Sequence, residues 1–253
     1  MASRIDMDLH ANAGHSGVRP PLPVEDVIAQ CNQIVHEKRY SRHQFVGSVQ
    51  RGLPDRAALA AWALQKYHQV YTQNLIFSII HSKTQFEDVR HFMIEQLVAE
   101  ETGINCGSDS HYNLMRRFAE ASGVGADQFG PGTQAEPVRR YVDTLLGIMR
   151  DEHFAVGLLA IYAIESQSGE SVGKMLAALR EAYGYSEAEL EWFTVHSDAD
   201  DDHAEEGVRL VRKYAPQVAG FDQRALAVTE RICDAWLQLH DYYASLLNRS
   251  AVR

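Results

Sequence analysis

The sequence predicts an all-α protein folded as a single domain of seven to eight helices. Apolar residues recur every three to four positions through most of the chain, as they do on the buried face of a helix. No segment alternates apolar and polar residues for more than a few positions, and there is neither a fixed-period repeat nor a dividing linker. With 253 residues, 45% of them hydrophobic, the chain can form one substantial core.

The helices of the first half follow from their start and stop signals. Residues 1–23 are rich in Gly, Pro and Ser and are expected to form a flexible N-terminal arm before a helical domain over 24–253. Pro54-Asp55 opens the second helix, and the third stops at Thr102-Gly103. The predicted helices of this half span about 24–39, 56–81, 86–101 and 111–123.

The second half begins after a loop that contains Gly130-Pro131-Gly132. Ser186 and Glu189 have the spacing of a capping box, in which two side chains satisfy the free N–H groups of a helix start. Pro216 ends the helix that this box begins. The predicted helices of this half span about 138–165, 171–183, 186–214 and 221–248.

The charge and cysteine content exclude several classes of protein. A formal net charge of −10 disfavours binding to nucleic acid or to an anionic membrane surface. No apolar run is long enough for a membrane span, and the N-terminal residues lack the apolar stretch of a signal peptide. The three scattered cysteines fit a reducing environment, so a cytoplasmic protein is expected.

The strongest chemical signal is the segment His196-Ser-Asp-Ala-Asp200-Asp-Asp-His203. On a helix, its two histidines and Asp200 fall within roughly 60° of one another. Two imidazoles and a carboxylate on one stripe suit a transition metal, iron in particular. The alternative is a solvated acidic face with incidental histidines. A calcium loop starting at Asp198 is excluded, because its sixth and twelfth positions are His203 and Arg209 rather than Gly and Glu.

Two further regions could contribute metal ligands. Glu101 closes one predicted helix and His111 opens the next, with a glycine-containing loop between them; the adjacent Glu100 is an alternative to Glu101. Glu165 ends the apolar run that starts at Leu158, where a carboxylate is costly to bury without a partner. Each of these signals also fits an ordinary surface carboxylate.

Together, these regions supply three carboxylates and three histidines to a helical protein. That set is what a two-metal carboxylate site in a helical bundle needs. Ferritin-like sites use Glu-x-x-His pairs, and this sequence contains none. The six candidates for ligands are Glu101, His111, Glu165, His196, Asp200 and His203.

These motifs resemble the haem-oxygenase-like di-iron oxidases over roughly residues 40–215. The resemblance rests on Glu101-x-Gly103, His111-x-x-Leu114, Arg117-Phe118-Ala-Glu-Ala-Ser-Gly123, Glu165 and His196-x3-Asp200-x2-His203. It implies a haem-oxygenase-like bundle in which the six candidates bind two iron ions, with Glu101 and Glu165 as the catalytic carboxylates. Members of this family activate O2 and include a fatty-acid decarboxylase, amino-acid-fragmenting enzymes and N-oxygenases of natural-product biosynthesis.

The resemblance leads us to expect an O2-dependent di-iron oxidase with a small amino-acid-derived or fatty-acid-like substrate. Some N-oxygenases of the family carry a further carboxylate ligand, whereas residues 67–75 contain no Asp or Glu, which favours oxidative C–C cleavage or desaturation. The alternatives are a di-iron N-oxygenase, a metal-free oxidase on the same scaffold related to pyrroloquinoline quinone synthase or thiaminase, and a non-catalytic interaction protein. A homodimer is expected. Weaker candidates for substrate contacts are Tyr71, Leu158, Ile161 and Tyr162.

Overall fold

Helices supply the regular secondary structure of the part of the chain that is described in the computed structural model. The described residues are 20–104, 107–197 and 202–247, without the side chains of 202–204, so most of the predicted N-terminal arm lies outside them. The all-α prediction is confirmed. The α-helices are α1 (Val24–Glu37), α2 (Gln44–Gln50), α3 (Arg56–Gln73), α4 (Leu75–Ser82), α5 (Glu87–Thr102), α6 (His111–Ser122), α7 (Glu136–Asp151), α8 (Phe154–Glu165), α9 (Ser168–Tyr183), α10 (Glu191–Ser197), α11 (Asp202–Tyr214) and α12 (Phe221–Leu247).

Local sequence signals set several helix ends as predicted. The Asp55 carboxylate accepts a hydrogen bond of 2.8 Å from the Ala58 N–H and caps the start of α3. Gly103 and Gly123, which follow α5 and α6, have φ angles of 64° and 110°, a left-handed conformation that favours glycine. These ends depend on contacts within a few residues, which explains why they can be read from sequence.

The predicted helix over 138–165 is two helices in the structure. α7 ends at Asp151, and α8 starts after His153, whose side chain accepts a hydrogen bond of 3.2 Å from the Ala155 N–H. An imidazole here replaces the Ser, Thr, Asp or Asn that usually marks a helix start, so the break could not be predicted from the usual capping residues. The predicted helix over 56–81 is likewise divided into α3 and α4, at the buried Asn74.

The helix α8 lies at the centre of the bundle. Its residues from Phe154 to Ile164 are buried, apart from the partly exposed Tyr162. α11 and α12 pack against it, while α3 packs against α6 and α9 against α10. This arrangement brings the C-terminal end of α8, with Glu165, into the interior of the bundle. Within the described residues, no helix has both the length and the apolar character needed to cross a membrane.

A buried histidine on α12 makes the fold sensitive to acid. His240 is only 4% exposed, and its Nδ1–H donates to the Trp236 carbonyl at 2.8 Å. Burial lowers the pKa of His240 from 6.5 to about 3. Its contribution to stability is therefore present above pH 6.5 and is lost as the pH falls toward 3, because the unfolded chain binds the proton more readily.

We expect the His240→Gln variant to lose less stability on acidification than the wild type. The free energy of unfolding of the wild type should fall by about 2 kcal/mol more than that of the variant between pH 6.5 and pH 5. Urea unfolding at the two pH values measures this difference, and the other histidines cancel in the comparison. An equal loss in both proteins would show that His240 does not stay neutral in the fold.

Candidate metal centre

The tight loop between α5 and α6 brings a carboxylate to a histidine. A Cβ atom at Gly103 would lie 2.3 Å from the Asp109 carbonyl oxygen, so only glycine fits where the loop closes. Across this loop, the Glu100 carboxylate lies 2.9 Å from His111 Nδ1. Both side chains are largely shielded from solvent, with 20% and 7% of their surfaces exposed.

A second histidine, from the last turn of α10, completes a three-residue cluster. One ligand atom from each of Glu100, His111 and His196 lies within 4.8 Å of the other two. The two imidazole rings meet edge to face, with 4.7 Å between their centroids. We call these three residues the metal-ligand cluster.

The nitrogen atoms of the cluster are arranged as metal ligation requires. His196 Nδ1 lies 2.7 Å from the Trp192 carbonyl oxygen, so it must carry the proton and leave the Nε2 lone pair free. Burial lowers the pKa of His196 to about 3 and keeps the ring neutral. Neither ring nitrogen of His111 makes a well-oriented hydrogen bond within the described residues, although Nδ1 is close to Glu100. A cation would satisfy both imidazoles.

Glu165 lies close enough to the cluster for its ionisation to be coupled to that of Glu100. Burial, the larger effect, and the negative charge of Glu100 together raise the pKa of Glu165 to about 8. A cation bound beside these two carboxyl groups would stabilise the charged form of Glu165. The donor set of imidazole nitrogen and carboxylate oxygen is one that iron binds, so these residues fit an iron centre.

The structure brings Glu100 rather than Glu101 to His111. Glu101 is exposed on α5, because one residue along a helix rotates the side chain by about 100°. The resemblance-based prediction named Glu101, with Glu100 as its alternative. Helical periodicity does not give the rotation of α5 relative to α6 across the loop that joins them. It therefore could not show whether Glu100 or Glu101 faces His111.

The predicted His-Asp-His stripe is described only at its first residue. His196 belongs to the cluster, whereas Asp200 lies outside the described residues and the side chain of His203 is not described. α10 ends at Ser197 and α11 starts at Asp202, so the predicted continuous helix over this stripe stays a prediction.

The weaker substrate candidates occupy different environments. Tyr71 is 53% exposed and stacks on Tyr67, with 5.8 Å between the ring centroids. Leu158 and Ile161 are buried in the core on α8, and Tyr162 is partly buried. None of these four residues is part of the metal-ligand cluster.

Sequence reasoning did not single out Lys66, which lies near the cluster. Glu100 and Lys66 influence each other's pKa, and burial lowers that of Lys66 to about 7. The spacing of Lys66 could have identified it, because it lies four residues after Trp62 and four before Val70. Both of these residues are buried, so Lys66 lies on the buried face of the helix. A lysine on the apolar face of a helix is unusual enough to suggest a function.

The fold and the cluster together define a class of helical protein with a candidate metal centre between its helices. Residues 60–237, more than half of the chain, match the model of a family described as iron-containing redox enzymes, with a haem-oxygenase-like fold. The chain belongs to this family and is an oxidoreductase. This confirms the family resemblance predicted from the sequence motifs.

Relatives and solved structures agree with the family match. The chain is 27% identical over 183 residues to a 4-aminobenzoate synthase of Chlamydia trachomatis, covering 72% of this chain and 78% of the relative. It is 27% identical over 232 residues to a 4-aminobenzoate synthase of Nitrosomonas europaea, covering 86% and 92%. A domain with a haem-oxygenase-like fold from Shewanella denitrificans superposes with a TM-score of 0.70 at 16% identity, covering 91% of this chain and 96% of that domain. This last likeness shows the fold.

Proposed function

We propose that this oxidoreductase is an O2-activating di-iron oxidase. The observation that carries the proposal is the convergence of Glu100, His111 and His196 on one small volume, where each imidazole keeps its Nε2 without a hydrogen bond and Glu165 lies close enough to interact with Glu100. Glu100 replaces Glu101 in the ligand set that we predicted from sequence. The six proposed ligands are Glu100, His111, Glu165, His196, Asp200 and His203.

The protein side chains prepare this site before any metal arrives. The Trp192 carbonyl holds the His196 ring in the tautomer that presents Nε2. Glu100 supplies negative charge to the metal-free site, and Glu165 would lose its proton and add a second negative charge when the ions bind. Bound iron would supply the O2 chemistry that protein side chains cannot perform, while the apolar α8 limits access of water.

The curated relatives support a small amino-acid-derived substrate over a fatty-acid-like one. Both are named for forming 4-aminobenzoate, whose carboxylate is attached directly to the aromatic ring. An aromatic amino acid that already carries a 4-amino group on its ring has a longer chain where 4-aminobenzoate has its carboxylate. Its conversion would keep the ring nitrogen, break a carbon–carbon bond of that chain and oxidise the remaining carbon to the carboxylate, with O2 as the oxidant. We therefore propose oxidative C–C cleavage and take 4-aminobenzoate as the first product to assay.

Three measurements on the full-length protein test this proposal. We expect about two iron ions per chain by elemental analysis and a transient visible absorbance when the Fe(II) protein is mixed with O2. Mass spectrometry after reconstitution, with 4-aminophenylalanine added as the trial substrate, should detect 4-aminobenzoate only when both iron and O2 are supplied. A protein that takes up no iron and forms the same product without it would overturn the proposal in favour of a metal-free oxidase.

A further inference from the structure

A lysine is held between two tryptophan rings inside the bundle. Lys66 Nζ lies 5.0 Å from the centre of the Trp192 ring and 5.3 Å from that of the Trp236 ring. It makes one side-chain hydrogen bond, of 3.2 Å, to Gln69 Oε1, which also accepts from the Tyr243 hydroxyl at 2.9 Å. An ammonium group has three N–H donors, so two remain without an acceptor among the described residues.

Neighbouring donors share this lack of acceptors. The indole N–H groups of Trp192 and Trp236 and the hydroxyl of Tyr141 are buried, with no hydrogen-bond partner within the described part of the chain. Their side chains are 4%, 3% and 2% exposed. The Tyr141 and Trp236 rings are in contact, with centroids 5.0 Å apart. Unsatisfied buried donors are costly to a fold, so such a cluster indicates an acceptor that binds there.

This donor cluster, formed by Lys66, Tyr141, Trp192 and Trp236, adjoins the metal-ligand cluster. The Trp192 ring stacks on the His196 ring with 4.0 Å between centroids, and the Trp192 carbonyl fixes the same imidazole. A molecule held by the donor cluster would therefore lie beside the proposed iron ligands.

We propose that the substrate carries a carboxylate and that Lys66 is the residue that binds it. This inference rests on the proposed oxidase function, because it names the substrate class of the same site. One ammonium balances the single negative charge of a carboxylate, and the indole and phenol donors can hydrogen-bond to its oxygens. A phosphate would bring a second negative charge close to Glu100 and Glu165.

The ionisation of Lys66 is compatible with this role. Burial lowers its pKa to about 7, and the charge of Glu100 only partly opposes that effect. A carboxylate bound at the ammonium would raise the pKa again, so Lys66 is charged when the substrate is present. In the free site, with its pKa of about 7, Lys66 is charged in only part of the molecules near neutral pH.

Calorimetric titration with benzoate and with its neutral isostere benzamide tests the assignment. We use the full-length chain in two forms, loaded with Fe(II) under anaerobic conditions and metal-free, because a carboxylate can also bind iron directly. Lys66→Met should weaken benzoate binding by about tenfold or more in both forms, since hydrogen bonds to charged groups are the stronger ones. Benzamide should bind wild type and variant equally.

Two further variants distinguish a specific loss of benzoate binding from a general loss of structure. Lys213→Met removes an exposed lysine that pairs with Asp88, and it should bind benzoate like the wild type. Trp236→Phe keeps a ring but removes one indole donor, and it should weaken benzoate binding severalfold without changing the iron content.

The outcomes separate this inference from the proposed function. Equal benzoate affinity in wild type and Lys66→Met, or no benzoate binding by the wild type, would overturn the role of Lys66. Loss of iron from Lys66→Met would also overturn it, by showing that this residue supports the metal instead. If the wild type binds benzoate through Lys66 yet takes up no iron, the oxidase proposal fails while the carboxylate site stands.

Discussion

Replacing Glu165 by alanine should remove one iron ion and abolish O2-dependent turnover. Glu165 ends the buried helix α8, and its pKa of about 8 shows how costly its charge is without a cation. At a free Fe(II) concentration of about 100 times Kd, binding stabilises a fold by about 2.7 kcal/mol, and the variant should lose that gain at the affected site. Elemental analysis and thermal melts with and without Fe(II) measure both effects.

The same substitution should leave the metal-free protein at least as stable as the wild type. The folded pKa of Glu165 lies above the ordinary value of 4.5, so its favourable contribution is present below pH 4.5 and is lost as the pH rises toward 8. Metal-free Glu165→Gln should therefore lose less stability than the wild type over that range. Full iron content and full metal-induced stabilisation in Glu165→Ala would show that Glu165 is not a ligand.

The same substitution at the two adjacent glutamates of α5 should lower iron affinity at one position and leave it nearly unchanged at the other. We expect Glu100→Gln to lower iron affinity by about 100-fold or more, because changes beyond the ligands themselves already cost about 10–100-fold. Glu101→Gln, which removes an equal charge from the exposed side of the helix, should stay within about twofold of the wild type.

Competition for Fe(II) with a chelator of known affinity measures both variants, and their melting temperatures without metal show that each one folds. The pair is matched in residue type, charge and helix, so a difference reports only the side-chain direction. Loss of iron from Glu101→Gln with normal binding by Glu100→Gln would restore the ligand set inferred from the sequence motifs.

Much of the helical framework could be predicted from sequence because its determinants are local. The cap at Asp55 and the glycines at 103 and 123 act within a few residues of the helix ends that they set. The break before α8 could not be predicted, since His153 is not a usual capping residue and no Pro or Gly marks the position. Glu165 follows an apolar run that a helix must bury, which is why the sequence marks it as a candidate, and its role as a metal ligand stays a prediction.

The sequence by itself determined the helical class and the family, and it predicted a site of carboxylates and histidines in three separated segments. Only the tertiary structure decided that Glu100 faces His111, because the phase of one helix against the next depends on how the loop closes at Gly103. It alone placed Lys66 between Trp192 and Trp236, which lie more than 100 residues further along the chain. Periodicity orients side chains about one helix axis, whereas a site made from several helices depends on packing between them.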